Sequence, residues 1–128
     1  MKYIVHISIA VVIMNAILSV LLSDKCIINK GVAFGIDVKY IEVISLFLSL
    51  SLMYFASRIK GRNKYVLLSL GLLGFANLVE RFLRGGICDY LYLGGLYVNL
   101  IDIFITSLVI LSILIHMYED YGCKDKQR

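Results

Sequence analysis

The 128 residues include no proline and no tryptophan, only two histidines and three cysteines, and a charged fraction of 17%. Cys26, Cys88 and Cys123 form no CxxC pair and have no histidine partner at ligand spacing, which argues against a metal site. No internal repeat and no low-complexity linker marks a boundary between domains, so residues 1–128 read as a single domain. The apolar runs also lack the in/out alternation that a spanning strand needs, which disfavours a membrane barrel.

What is abundant is apolar surface. Hydrophobic residues make up 60% of the chain and the mean hydropathy is +0.87, well beyond the core requirement of a water-soluble domain. A hydrocarbon layer is crossed by about 20 helical residues, and four stretches qualify, at approximately 3–23, 40–57, 65–84 and 97–118. The predicted fold is an all-α membrane protein with four transmembrane helices. Lys2 before the first run suggests a signal peptide. Its apolar core is longer than an h-region of about 7–15 residues, however, and no small-x-small cleavage site precedes Asp24, so it is read as a retained helix.

Orientation follows from the basic residues. Arg58, Lys60, Arg62 and Lys64 crowd the second link, Lys2 opens the chain, and Lys124, Lys126 and Arg128 close it, which predicts cytoplasmic N and C termini. On the other side, Lys25, Lys30, Lys39, Arg81 and Arg84 are interleaved with Asp24, Asp37, Glu42, Glu80 and Asp89. The net charge of +4 therefore reads as a topology signal and an attraction to anionic lipid, with nothing pointing to nucleic acid. Cys26 and Cys88 both fall on the outer side, where a disulfide is chemically possible, but free thiols are the expectation; Cys123 is expected to be reduced. The segment "CIINKGVAFGIDVKY" alternates apolar residues and predicts a short sheet or hairpin, a small β-containing extracytoplasmic segment between helices 1 and 2. The second outer segment, "GGICDYLYLGGLY", places tyrosines between glycine pairs, suited to the headgroup level.

Two polar groups interrupt this apolar pattern. Asn77, Glu80, Arg81 and Arg84 share one helix face at i, i+3, i+4, i+7 spacing. The plain reading is a solvated helix end, with Glu80 paired to Arg84 and both arginines reaching for phosphates. In "YVNLID", Asn99 and Asp102 again share a face, and the plain reading is a cap, with Asn99 as N-cap and Asp102 in the first turn. The combination suggests more. Asp89 and Asp102 lie on different elements near one membrane surface, joined by a glycine-rich connection able to fold back. Two carboxylates held together share a proton, one serving as base toward water and the other as acid toward a carbonyl oxygen. That is a route to peptide hydrolysis without a metal or nucleophilic side chain.

Here the residues resemble lipoprotein signal peptidase (signal peptidase II), an aspartic peptidase family. "NKGVAFG" is similar to the family's NxGxAF signature, "NLVERFLRGGICDYL" to its NxxDRxxxGxVxDF motif with every spacing kept, and "VNLID" to its FNxAD. The resemblance implies that Asp89 and Asp102 are catalytic, that Asn77, Glu80, Arg81 and Asn99 support them, and that Asn29 and Gly31 belong to the segment covering the substrate. It further implies a multi-pass protein of the bacterial cytoplasmic membrane with its site at the extracytoplasmic face. The expected reaction is cleavage before the diacylglyceryl-modified cysteine of prolipoproteins. Membrane lipid and globomycin-type inhibitors are the other expected partners, with no cofactor and a monomeric state.

The chain departs from the pattern at Glu80 (usually Asp), Tyr90 (Phe) and Ile101 (a small residue). Asn15 and Ser19 stand where the family has an Asp followed by a Lys, and the connection from Asp89 to Asp102 is shorter than usual. His6 and His116 match nothing functional. Rival readings are a small four-helix multidrug-type transporter, which normally needs an acid deep in a span that the first two spans lack, and a catalytically silent lipoprotein-binding homologue.

Overall fold

The structure, a computed structural model, describes residues 1–31 and 38–125. Its four helices are α1 (Tyr3–Leu21), α2 (Ile41–Arg58), α3 (Asn63–Arg84) and α4 (Leu100–Asp125). All four are long and apolar enough to cross a membrane. A 3-10 turn, Ser23–Lys25, follows α1, and the described residues also include four short strands: β1 (Ile27–Asn29), β2 (Ile87–Asp89), β3 (Leu91–Leu93) and β4 (Leu96–Val98).

Burial runs opposite to the habit of a water-soluble bundle. Leu83 is 80% exposed, Phe47 73% and Phe82 71%, while Ser8, Ser69 and Asn15 are among the most buried side chains. Large apolar groups outward and small or polar groups between helices is the arrangement expected where the solvent is hydrocarbon. α2 and α3 show how closely the backbones approach. A Cβ added at Gly71 would lie 2.8 Å from Met53 Cγ and 3.1 Å from the Ser49 carbonyl, and one at Gly74 would lie 2.8 Å from Ser49 Oγ. The central apolar contact is made by Val66 and Leu73 of α3 with Ile101 and Leu108 of α4, flanked by Ile4, Val11 and Val12 of α1.

The strands gather where α1 and α3 end and α4 begins. β1 pairs antiparallel with β2, with Ile27 opposite Asp89 and Asn29 opposite Ile87. The β segment expected between the first two helices is thus half of a sheet whose partner comes from beyond α3. The remainder of the "NKGVAFG" signature after Gly31 lies outside the described residues. β3 and β4 form a second pair, Leu91 opposite Val98, closed by Gly94 and Gly95 with φ of +57° and +92°. Positive φ at both central residues is the two-residue hairpin geometry whose twist matches the strands. This hairpin corrects the expected start of the fourth helix at residue 97: Tyr97 and Val98 pair with Tyr92 and Leu91 before the helix begins at Leu100.

A second correction concerns the thiols. Cys26 and Cys88 are joined by a disulfide, with Cα atoms 5.3 Å apart. In the β1–β2 register Cys88 is opposite Ile28, and Cys26, two residues before Ile28 and so on the same face, lies diagonally across from it, a proximity that spacing along the chain does not reveal.

Candidate active site

At its C-terminus α3 hands the chain to β2 through two glycines with different tasks. Gly85 closes the helix in the left-handed region (φ +71°), its N–H donating to the Arg81 carbonyl at 2.8 Å. Gly86 lies against β1, where an added Cβ would come within 2.9 Å of the Asn29 carbonyl oxygen. The β1–β2 pair can therefore sit directly on the helix end, and it carries Asp89, 2% exposed, into the interior.

The tight hairpin then brings the chain back. Since Leu91 faces Val98, the residues just outside that pair, Tyr90 and Asn99, fall next to each other, and Asp89 comes within reach of the start of α4. Asn99 Nδ2 donates to Asp89 Oδ1 at 3.1 Å. Asn99 Oδ1 accepts from the Asp102 backbone N–H at 3.0 Å, and the Asp102 carboxylate accepts from the Asn99 N–H at 3.4 Å. The last two bonds form a reciprocal cap satisfying two donors at the helix start. Cap and site are one arrangement: the fully buried Asn99 caps α4 with its oxygen and holds the opposite carboxylate with its nitrogen.

The remaining predicted residues close around this pair. Asn77 Nδ2 donates to Asp102 Oδ1 at 3.5 Å, and the buried Asn77 Oδ1 has no partner among the described residues. Asn29 hydrogen-bonds Asp89 through its side chain, while its Oδ1 accepts from the Gly31 N–H at 3.0 Å. Arg81, 8% exposed, donates to the carbonyls of Lys30 and Gly31. It thus pins the segment after β1 and does not reach outward to phosphate. Arg84 likewise donates inward, to the Ser19 carbonyl at 3.1 Å, while its charge still acts on Glu80, so the expected outward reach of the arginines does not describe this helix end.

Burial, and next the nearby charge of Asp102, push the Asp89 carboxyl from 3.8 up to about 6, against the lowering effect of hydrogen bonds from Asn29 and Asn99. A carboxyl poised there can exchange a proton near neutral pH. Burial also raises the Tyr90 phenol, which keeps its hydroxyl a donor.

Three features were not assigned a role from the sequence. Asn15 of α1 is 2% exposed and faces Glu80; the sequence marked it only as an amide standing where the resembled family has an Asp. Tyr90 turns its hydroxyl to Asn15. A largely apolar groove of about 530 Å³ runs between α1 and α3, lined by Ile13, Ala16, Phe75 and Val79 with Ile101 behind, and ends at Asn15, Ser19, Glu80 and Arg84. Among the described residues no cluster of His, Cys, Asp and Glu could hold a metal. No protein family, curated protein or solved structure matches this chain.

Proposed function

We propose that this protein is a membrane-embedded aspartic endopeptidase of the signal peptidase II type, which removes signal peptides from bacterial prolipoproteins by cleaving before the diacylglyceryl-modified cysteine. The observation that carries the reading is that Asp89 and Asp102, on separate elements, meet at Asn99, whose side chain holds the Asp89 carboxylate and the Asp102 backbone N–H, with the Asp102 charge acting on Asp89. Two carboxyls so placed hold one proton between them. The ionised carboxylate takes a proton from water as the water oxygen bonds to the scissile carbonyl carbon, and the other carboxyl gives its proton to the carbonyl oxygen. The resulting gem-diol collapses: one hydroxyl proton returns to the dyad, a dyad proton passes to the amide nitrogen, and the C–N bond breaks. The dyad ends in its starting state.

In this reading the strand-bearing end faces the extracytoplasmic side of the bacterial cytoplasmic membrane. The Cys26–Cys88 disulfide at that end suits an oxidising compartment, and Arg58, Lys60, Arg62 and Lys64 at the other end suit the cytoplasm. The apolar groove ending at Asn15 and Glu80 suits an acyl chain lying in lipid while the peptide bond meets the carboxylates at the interface.

The test is cleavage of a synthetic diacylglyceryl prolipoprotein peptide by the purified protein. The expected result is a cut before the lipidated cysteine, blocked by globomycin and abolished in Asp89→Asn and in Asp102→Asn while the helices stay folded. Normal processing by either variant refutes the dyad. Tight binding of the peptide without cleavage by the wild type supports a silent homologue instead.

A further inference from the structure

Three of the chain's departures from the signal peptidase II pattern meet in space. Cys88 N–H donates to Glu80 Oε1 at 3.1 Å, and Asn15 Nδ2 donates to Glu80 Oε2 at 3.5 Å. The Tyr90 hydroxyl donates to Asn15 Oδ1 at 2.8 Å and accepts from the Leu100 N–H at 3.3 Å. The extra methylene of Glu80, relative to an aspartate, extends its carboxylate off α3 toward both α1 and β2. The two backbone groups gripped are telling. Cys88 immediately precedes Asp89, and Leu100 lies two residues before Asp102.

We infer that Asn15, Glu80 and Tyr90 act as one positioning unit, tied to the backbone on both sides of the dyad, which sets the separation of Asp89 and Asp102. None of the three does chemistry. The inference rests on the peptidase reading for its catalytic consequence, but the network itself can be tested without it. Its donors and acceptors have a fixed order. Glu80 must accept from both neighbours, and Asn15 must offer its oxygen to Tyr90 and its nitrogen to Glu80.

That order supplies a rescue experiment. Glu80→Gln alone sets an amide donor against Asn15 Nδ2, and Asn15→Asp alone sets two carboxylates together. The double variant Asn15→Asp with Glu80→Gln restores the pattern, since Asp at 15 accepts from both the Tyr90 hydroxyl and the new amide. Each single variant, and Tyr90→Phe, is expected to lower kcat for the lipidated peptide about tenfold or more with KM little changed, because small misplacements of reacting groups are costly. The double variant is expected to recover most of that kcat.

Amide exchange in detergent micelles provides the activity-independent arm. Leu100 N–H should exchange faster in Tyr90→Phe, and Cys88 N–H faster in Glu80→Gln, where repulsion from Asn15 Nδ2 drives the side chain off its seat, with Cys88 returning toward wild type in the Asn15→Asp, Glu80→Gln double variant. Unchanged exchange in the single variants overturns the network whatever the activity. A double variant no better than either single overturns the ordered unit. Faster exchange with unchanged kcat overturns positioning, while a wild type that never cuts the peptide refutes the peptidase reading and leaves exchange to decide the network.

Discussion

Replacing Asp89 by Asn should raise the stability of the protein while removing the peptidase activity proposed for it. Asp89 sits 2% exposed beside Asp102, and its carboxyl is raised from 3.8 to about 6. A shift of roughly 2 units means that ionised Asp89 is disfavoured in the folded state by about 3 kcal/mol. The sign is set by proton counts. Between about pH 4 and 6 the folded protein holds a proton the unfolded chain has released, so stability from this group falls as pH rises. Above about 6 the full penalty applies, and below about 4 none of it does.

Asparagine cannot ionise and escapes the penalty, but it introduces a donor where both Asn29 and Asn99 already donate. One lost hydrogen bond returns about 1 kcal/mol. The net gain at about pH 8 is therefore expected to be about 1–2 kcal/mol, closing and reversing slightly near pH 4. The assay is unfolding in mixed micelles at several pH values, followed by far-UV circular dichroism because the chain has no tryptophan. The variant-minus-wild-type difference is the readout, since it cancels the other titrating groups. A difference that does not change between about pH 4 and 8, or that grows toward low pH, refutes the account of Asp89.

The α2–α3 contact makes an ordered pair of expectations. Gly71→Ala should cost about 1–3 kcal/mol because its Cβ meets the Ser49 carbonyl and the Met53 nitrogen, whereas Gly74→Ala meets only the Ser49 hydroxyl, which can rotate, and should cost less. The reverse order in denaturation midpoints would contradict this packing. The disulfide closes a separation of 62 residues, worth about 4 kcal/mol for a free chain. Helices that stay inserted already restrict the unfolded chain, so reduction, or Cys26→Ser with Cys88→Ser, should cost about 1–2 kcal/mol; an unchanged midpoint would show that the bridge constrains nothing. Finally, under the proposed peptidase reading, Ala16→Phe should fill the groove between α1 and α3 and raise KM for a diacylated peptide about tenfold with kcat held. Equal KM values would remove the groove from acyl binding.

How much of this was legible in advance depends on the range of the interactions involved. The four helices were visible because continuous apolar runs are a local property; α4 runs on to Asp125 rather than 118, the other ends moved by three residues or fewer, and the informative shift is at 97–99. There Tyr97 and Val98 look like helix, and only pairing with Leu91 and Tyr92 makes them strand. The signal existed, since "LYLGGLYV" is two alternating runs around a glycine pair, but the apolar run that follows masked it. Ile27 opposite Asp89 and Cys26 bonded to Cys88 are long-range relations that no local pattern carries. Asp89 and Asp102 could be singled out because carboxylates near an apolar segment are costly and so conspicuous. Asn15 was inconspicuous: a single amide costs little in a span, and its meaning appears only when Glu80 and Tyr90 are seen on either side of it.

The β3–β4 hairpin also limits how the link between the two aspartates can change in length. Among the described residues nothing lies within 4 Å of a Cβ placed at Gly94 or Gly95, so the tip is open to growth. Strand pairing constrains the increments. One residue added to each arm keeps Leu91 opposite Val98 and leaves the base of the ribbon unmoved, whereas a single residue added to one arm forces a bulge or slips the register and turns side chains to the wrong face. Length at this link should therefore be tolerated in steps of about two residues, which makes the tip a natural place to graft a reporter peptide without separating Asp89 from Asp102.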